Sequence, residues 1–245
     1  MSVQRLHSFL RRSVATGRTV VAVPPFTAYL DPQDPLRFLN YAIPDDDVAP
    51  ARADVDRLRA VFRDHDRLPR LEWIEEVAPR LAPALESAGM TEELRTPLMA
   101  CQPEELVDAQ AAVDDLTIRV VEQHDLRDCA NLQRVAFGGP PLPDDQEPRR
   151  LGGGAVLARS AGVPVAAASW TRVGDGVSEI VGVATAEAWR RRGLAGALTA
   201  AATRGAFAAG ASLCILSPGN ETAQRVYARA GFHRVATMLH WSDPS

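Results

Sequence analysis

The chain contains no lysine, and all 27 of its basic residues are arginine. This absence excludes the Walker-type phosphate-binding loop, which requires a lysine, and every mechanism that uses a lysine Schiff base. Cysteine is scarce as well. The three cysteines are odd in number and widely spaced, which fits neither a disulfide framework nor a zinc site; they are Cys101, Cys129 and Cys214. We therefore expect no bound metal and a reducing, cytoplasmic location.

Long apolar runs are also missing. No stretch reaches the roughly eighteen apolar residues of a membrane span, and the first twenty residues lack the apolar centre of a signal peptide, so we expect no membrane partner. A net charge of -4, with one dense basic run at 190–192, argues against nucleic-acid binding. With 245 residues, of which 46% are hydrophobic, the chain has room for one large domain or two small ones.

From Leu116 onward the sequence alternates between strand-like and helix-like segments. The predicted strands are 116–121, 155–162, 163–173, 177–185, 212–218 and 232–241. The predicted helices are 125–138, 191–209 and 220–230, and a loop rich in glycine, proline and acid covers 139–154. This order predicts an α/β fold with a mixed antiparallel and parallel sheet flanked by helices.

The first hundred residues repeat this pattern at a single offset of 142, which carries Leu71 onto Leu213, Gly89 onto Gly231 and Met99 onto Trp241. The helix predicted over 53–67, the strand over 68–73, the helix over 74–90 and the strand over 91–102 then match their C-terminal counterparts. The region from Leu116 to about Pro143 has no counterpart. We therefore expect the N-terminal copy to lack the first strand and the first helix.

Three arginines stand where an alanine-rich helix is predicted to begin, in the segment WRRRGLAGALTAA. The positive end of a helix dipole disfavours cations, each by a few tenths of a kcal/mol, unless an anion is bound there. Arg190, Gly193 and Ala195 form the spacing R-x-x-G-x-[GA], directly after the alternating strand VSEIVGVAT. A strand that leads into a helix start is the geometry in which free backbone N–H groups collect a phosphate. The pattern therefore indicates a pyrophosphate site.

A second feature lies further along the chain. Asn220, Ala223 and Tyr227 are spaced i, i+3 and i+7, so they form one stripe along a helix. Asn220 is also a good candidate for the helix N-cap, and Tyr227 for a core aromatic residue. The spacing alone leaves both interpretations open.

Together, GVATAEAWRRRGLA and NETAQRVYARAGF resemble the two signatures of the GNAT superfamily of N-acetyltransferases, and the resemblance covers residues 116–241. It implies acetyl-CoA, or another acyl-CoA, as the acyl donor. It also implies that the backbone of Val183, Ala184 and Thr185 pairs with the pantetheine arm and that Asn220 and Tyr227 stand beside the thioester. The pyrophosphate would be held by Arg190, Arg191, Arg192, Gly193, Leu194 and Ala195.

Acyl transfer to an amine needs a neutral nucleophile and an acid for the departing thiolate. Tyr227 is the predicted acid, since a phenol with a pKa near ~10 can protonate a thiolate with a pKa near ~8.5. Glu179 resembles the glutamate base of some family members, but it could instead pair with Arg172 or Arg234, and many relatives use a water chain. His124, His233 and His240 are alternatives that more often have structural roles.

In the N-terminal copy the offset places apolar residues at the counterparts of Arg190, Gly193, Ala195, Asn220 and Tyr227; they are Val48, Ala51, Ala53, Ala78 and Leu85. Asp45, Asp46 and Asp47 would repel a pyrophosphate at that helix start. The sequence thus resembles tandem members of the superfamily with a truncated, degenerate first copy. The predicted boundaries are 1–103 for that copy, 104–115 for a linker and 116–245 for the acetyl-CoA-binding domain. We expect the first copy to form a wall of the acceptor groove.

The leading hypothesis is an acetyl-CoA-dependent N-acetyltransferase that acts on the primary amine of a small molecule or a peptide. A non-catalytic acyl-CoA-binding regulatory module and a ligand-free scaffold are the alternatives. Acids in the predicted loops suggest a negative rim that would attract a cationic amine; they are Asp144, Asp145, Glu147, Asp175 and Glu179. The sequence leaves open the identity of the amine, the acyl chain length and whether the chain forms homo-oligomers.

Overall fold

The structure is a computed structural model that describes residues 2–148 and 152–244. Its helices are α1 (Val3–Val14), α2 (Arg52–Asp64), α3 (Leu81–Ser87), α4 (Leu126–Ala136), α5 (Leu194–Ala208) and α6 (Glu221–Arg229). The first five strands are β1 (Thr19–Val23), β2 (Phe26–Leu30), β3 (Tyr41–Pro44), β4 (Arg70–Ile74) and β5 (Thr91–Cys101). The others are β6 (Leu116–Val120), β7 (Gly152–Ser160), β8 (Val163–Thr171), β9 (Val177–Thr185), β10 (Leu213–Leu216) and β11 (His233–Ser242).

The chain forms two compact units. The first comprises Met1–Leu98 and Arg234–Ser245, and the second comprises Met99–His233. The C-terminal strand β11 therefore belongs to the first unit, where it pairs antiparallel with β4 from Met238 opposite Ile74 to Ser242 opposite Arg70. In the second unit, residues 99–101 of β5 pair antiparallel with β10. The predicted boundaries 1–103, 104–115 and 116–245 concern the sequence repeat and stay a prediction.

The first unit is built on the strand order β1-β2-β3-β4-β11-β5. Its core packs α2 and α3 against the sheet, with Phe62, Trp73 and Trp241 among the buried residues. Helix α1 precedes these strands and buries Leu6 and Phe9. The sequence analysis predicted that the N-terminal copy lacks its first helix. This prediction is wrong, because α1 precedes β1 in the order of elements. Among the described residues, a helix but no strand precedes β1, so a counterpart of β6 is missing there. The offset did not reveal the amphipathic segment that forms α1.

The second unit has the strand order β10-β9-β8-β7-β6, with residues 99–101 of β5 beyond β10. Strands β6 to β9 pair antiparallel, whereas β9 and β10 are parallel. One face carries α5 and α6, and the other carries α4, whose Cys129 packs on Leu157 and Ala167. The predicted mixed α/β sheet flanked by helices is confirmed.

The offset of 142 carries α2, β4, α3 and β5 onto α5, β10, α6 and β11, with boundaries that agree to within two residues. The predicted boundaries of α3 and of β7 are wrong. The helix predicted over 74–90 is only Leu81–Ser87, and Ile74 belongs to β4. Proline is tolerated in the first turn of a helix but not in its interior, so Pro79 lies before the helix and Pro83 lies in its first turn. Strand β7 begins at Gly152, within the predicted loop, and residues 149–151 of that loop lie outside the described residues.

No helix among the described residues is both long and apolar enough to cross a membrane. Within the same residues, no group of three or more histidine, cysteine or acidic side chains is arranged to hold a metal ion.

Candidate acyl-CoA site

Strand β9 extends beyond its neighbour on one side. Its pairing with β10 runs from Leu213 opposite Val177 to Ile215 opposite Glu179, while its pairing with β8 continues to Thr185. In the described part of the chain, residues 180–185 therefore have a strand on one edge alone. Such an edge presents backbone N–H and C=O groups to any extended ligand. The predicted pantetheine-binding residues Val183, Ala184 and Thr185 lie on this segment.

A β-bulge interrupts β9 just before these residues. Ser169 lies opposite Val181 and Ala167 opposite Ala184, so β9 holds one more residue than β8 in this interval. Gly182 adopts a φ of +62°, a left-handed conformation that glycine tolerates best. The bulge shifts the alternation of side chains. As a result, Ile180 and Val183, three residues apart, both pack against the core under α5.

The bulge corrects one detail of the sequence analysis. Strict alternation would place Glu179 and Val183 on the same face of β9. Since Ile180 faces the core under α5, its neighbour Glu179 points to the opposite face, whereas Val183 faces that core. The carboxylate and the predicted pantetheine segment therefore lie on the same strand with side chains on different faces.

Gln133 of α4 holds the bulge in place. Its Nε2 donates to Gly182 O at 2.9 Å and to Ser169 Oγ at 2.8 Å. A Cβ atom on Gly182 would lie 2.3 Å from the same nitrogen, so the glycine is needed for this close approach as well as for its backbone conformation. Sequence reasoning missed Gln133. Nothing in the helical pattern of α4 distinguishes this glutamine from a solvated one.

The cationic segment that follows β9 is a turn, and the helix starts later than predicted. Arg191 has a φ of +64° and Gly193 a φ of +81°, so the predicted helix start at Arg191 is wrong and α5 begins at Leu194. Left-handed residues cannot continue a right-handed helix. Alternation of this kind also turns successive N–H groups toward one point, the geometry of an anion-binding nest.

Helix α5 begins without a cap. No described side chain accepts a hydrogen bond from the N–H groups of its first turn, and that turn contains no acidic residue. The first N–H bonded within the helix is that of Ala197, to Gly193 O at 3.1 Å, so the described contacts leave the N–H groups of Leu194, Ala195 and Gly196 available. By contrast, α6 is capped by Asn220, whose Oδ1 accepts from the N–H of Ala223 at 2.9 Å.

The three arginines of the turn are exposed but not equivalent. The Arg192 guanidinium lies 4.9 Å from the centre of the Trp189 ring and donates to Ala188 O at 3.3 Å. Arg190 Nε is 3.4 Å from Thr185 O. None of the contacts described for the chain engages the guanidinium of Arg191. The turn thus combines free N–H groups with cationic side chains, and this arrangement fits a pyrophosphate.

Tyr227 lies in the core formed by α5, α6 and the sheet, with 9% of its surface exposed. Burial raises the pKa of its hydroxyl to about 12. The phenol therefore stays protonated at neutral pH. Asn220 occupies the N-cap of α6, which is the structural role considered for it in the sequence, and its contact with a thioester stays a prediction.

Glu179 is half-buried, and its backbone N–H donates to Thr171 Oγ1 at 3.0 Å. Arg234, one candidate partner for its carboxylate, belongs to the first unit and donates to Thr237 Oγ1 at 2.8 Å. Of the histidines, His124 has a side chain 75% exposed and His233 lies 3.5 Å from Glu105. His240 is buried in the first unit.

In the first unit, the counterpart of this site is occupied by the chain's own side chains. Arg11 Nη2 lies 2.7 Å from Asp45, Gln4 donates to Asp46 at 2.6 Å, and Arg80 lies 3.1 Å from Asp47. Helix α2 is capped by its own residue, because Asp54 accepts from the N–H of Ala51 at 2.7 Å. The acids before this helix are thus already paired within the chain, and its first turn carries an acidic residue of its own, Asp54.

Comparison with known proteins agrees with this geometry. The model of the acetyltransferase (GNAT) family matches residues 124–232. No curated protein matches the chain. A GCN5-related N-acetyltransferase from Kribbella flavida is 34% identical, with a TM-score of 0.80, and the alignment covers 99% of this chain and 96% of that one.

Two further solved structures share the fold. A GNAT-family protein from Novosphingobium aromaticivorans is 20% identical, with a TM-score of 0.55 and 92% coverage of both chains. A tandem GNAT protein from the clavulanic acid biosynthesis pathway is 15% identical, with a TM-score of 0.58, and the alignment covers 90% of this chain and 79% of that one. The fold and the turn define an α/β domain of the acetyltransferase type. The chain belongs to the GNAT acetyltransferase family.

Proposed function

We propose that the protein is an acetyl-CoA-dependent N-acetyltransferase that acetylates the primary amine of a small molecule or a peptide. The observation that carries this proposal is the uncapped start of α5, which follows the unpaired edge of β9 after the cationic turn. A helix start with free N–H groups and arginines is unfavourable by itself and becomes favourable when a diphosphate binds.

In this proposal, the N–H groups of the turn and of the first residues of α5 hold the diphosphate. Arg190, Arg191 and Arg192 supply the charge around it, and the free edge of β9 pairs with the pantetheine amides. Bound acetyl-CoA supplies an activated acetyl group, which the amine nitrogen receives as the carbon–sulfur bond breaks and the sulfur takes up a proton. The chain's own residues position the two reactants and manage the protons.

Tyr227 is the proposed proton donor. Its raised pKa, about 12, keeps a proton on the hydroxyl throughout the neutral range. Tyr227 lies on α6, the helix that Asn220 caps, and packs on the same side of the sheet as Val183. We assign the amine's proton either to Glu179 or to a water chain, and the pH dependence of Glu179→Gln distinguishes them. Loss of the acidic limb of the kcat/KM profile in that variant indicates Glu179, and an unchanged profile indicates water.

The test of the function combines binding and turnover. We expect calorimetry to show one acetyl-CoA bound per chain, because Asp45 and Asp47 place negative charge at the helix start in the first unit and are already paired with Arg11 and Arg80. Bound cofactor at a hundred times its Kd should stabilise the protein by about 2.7 kcal/mol. A thiol-release assay over a panel of amines, with cationic amines first, then identifies the acceptor. No binding at millimolar acetyl-CoA would refute the proposal.

Tyr227→Phe separates an enzyme from a binding module. We expect it to lower kcat by about 10² to 10³, since general acid catalysis contributes on that order, and to leave the Kd of acetyl-CoA nearly unchanged. Tyr41→Phe, on β3 of the first unit, is the matched control and should retain full turnover. Undiminished turnover of Tyr227→Phe would show that another group is the acid. Binding without turnover on any amine would favour the regulatory module.

The first unit is proposed to be a degenerate copy with a scaffold role. Deleting residues 1–115 cannot test that role, because the deletion removes the β4 partner of β11 and the β5 partner of β10. A stoichiometry of one acetyl-CoA per chain supports the proposal, and two would contradict it.

A further inference from the structure

The segment at residues 105–112, which we call the strap, lies against the second unit. At the C-terminal end of α6, the N–H of Val107 donates to Ala230 O at 3.1 Å. The carbonyl of Glu105 lies so close to Gly231 that a Cβ atom there would be 2.0 Å from Glu105 O. The strap therefore contacts the end of the helix that carries Tyr227.

The same strap reaches the start of α5. The N–H of Ala112 donates to Arg192 O at 2.9 Å, within the cationic turn. A Cβ atom on Gly193 would lie 2.7 Å from Gln110 O, and one on Gly196 would lie 3.2 Å from the Cβ of Ala109. Asp108 forms an ion pair with Arg204 further along α5. One short segment thus touches both elements that carry the proposed site.

These contacts require particular residues. A flexible linker needs length and solvation, and it does not need small residues opposite glycines. Here Ala109 packs where Gly196 lacks a side chain, and Gly196 lies inside a helix, where glycine is less favourable than alanine. A glycine in that place is explained by the close approach of the strap.

The turn also needs support. Arg191 holds a left-handed conformation, which is unfavourable for a non-glycine residue and persists where surrounding contacts determine it. The hydrogen bond from Ala112 to Arg192 O acts on the residue between Arg191 and Gly193. We propose that the strap is a positioning element of the acyl-CoA site, which holds the turn in its binding conformation and in register with the Tyr227 helix. This inference rests on the proposed function.

The test is a pair of complementary substitutions. Gly196→Ala adds a methyl group 3.2 Å from the Cβ of Ala109 and should displace the strap by a few tenths of an ångström, whereas Ala109→Gly removes the opposing methyl group. If displacement leaves the turn in its binding conformation about one-tenth of the time, the Kd of acetyl-CoA rises about tenfold. We expect Gly196→Ala to show this rise by calorimetry without a lower Tm, because alanine favours the helix. The double variant should return to within about twofold of the parent.

A second variant removes a single donor. Ala112→Pro deletes the N–H that bonds Arg192 O, and Ala111→Pro is the neighbouring control, whose N–H has no described partner. We expect Ala112→Pro to weaken acetyl-CoA binding at least fivefold more than Ala111→Pro. It should also accelerate hydrogen exchange of the Ala197 amide, which closes the first turn on Gly193 O, by a similar factor.

The outcomes separate this inference from the function on which it rests. If the unmodified chain binds no acetyl-CoA, the proposed function fails, while the exchange of Ala197 still reports on the strap. If the unmodified chain binds and Gly196→Ala binds equally well, or Ala109→Gly does not restore affinity in the double variant, the strap has no positioning role. If Gly196→Ala does not fold, the comparison of the two proline variants decides the question.

Discussion

Replacing Glu72 with glutamine perturbs a buried charge cluster in the first unit. The Arg70 side chain is 2% exposed, and its guanidinium bonds Glu72, Glu93 Oε2 at 2.8 Å and His240 Nδ1 at 3.1 Å. His240 Nδ1 also lies 3.3 Å from Glu72 Oε1, and Arg37 lies 3.7 Å from Glu93. Burial opposes ionisation of Glu72, but the charges of Arg70 and His240 outweigh it and hold the pKa of Glu72 at about 2.

The shift from the ordinary value of 4.5 to about 2 corresponds to about 3 kcal/mol of folding free energy. A carboxylate with a lowered folded-state pKa stabilises the protein above its unfolded-state pKa. That stabilisation is lost as the pH falls from about 4.5 to about 2. Burial opposes ionisation of Glu93 too, but the hydrogen bonds from Arg70 and Ser242 together with the charges of Arg70 and Arg37 outweigh it and lower the pKa of Glu93, so its contribution is lost in the same direction.

Urea denaturation followed by tryptophan fluorescence measures the effect, since Trp73 and Trp241 lie in the core of this unit. At pH 7 we expect Glu72→Gln to be less stable by about 3 kcal/mol, and the gap from the parent to close as the pH approaches 2. Glu86→Gln, on the exposed face of α3, is the control and should change stability by less than about 0.5 kcal/mol. A gap that stays constant from pH 7 to pH 3 would refute the assignment.

Three further outcomes are expected. Gln133→Met should lower the free energy of unfolding, measured in urea, by about 2 kcal/mol, because it leaves the Gly182 carbonyl and the Ser169 hydroxyl without their donor. A change below about 0.5 kcal/mol would show that these hydrogen bonds, which we call the Gln133 brace, do not stabilise the bulge. Asn220→Ala should cost about 1 kcal/mol through loss of the α6 cap, and an unchanged Kd for acetyl-CoA would limit Asn220 to that structural role. The three cysteines are buried, and burial raises the pKa of Cys101 to about 12, of Cys129 to about 11 and of Cys214 to about 12. Ellman's reagent should therefore modify them only after unfolding, and rapid reaction of the native protein would contradict this.

Predictions from local pattern succeeded where periodicity and propensity agreed. Strand β9 has its predicted bounds, Val177–Thr185, because alternating and β-branched residues end at a clear break. Boundaries failed where a backbone conformation departed from the local trend. The helix start at Arg191 was wrong because Arg191 is left-handed, a conformation that sequence does not mark in arginine.

There is a different reason why the bulge in β9 and the Gln133 brace could not be predicted. A bulge is a property of two paired strands, and its register is set by packing on both faces of the sheet. Gln133 is distant in sequence from Ser169 and Gly182, and only the fold brings the three together. The strap is the same kind of feature, since small residues acquire meaning there through the glycines that they face.

From the residues alone came the mixed α/β class, the cationic turn after a strand, the stripe containing Tyr227 and the loss of site residues in the first copy. These are local properties, carried by periodicity, charge and spacing within short segments. The tertiary structure decided that β11 belongs to the first unit, which face of β9 carries the Glu179 side chain and how strongly burial shifts the pKa of Tyr227. It also decided which residues contact the cationic turn. Those properties depend on contacts between residues far apart in sequence, which no short segment encodes.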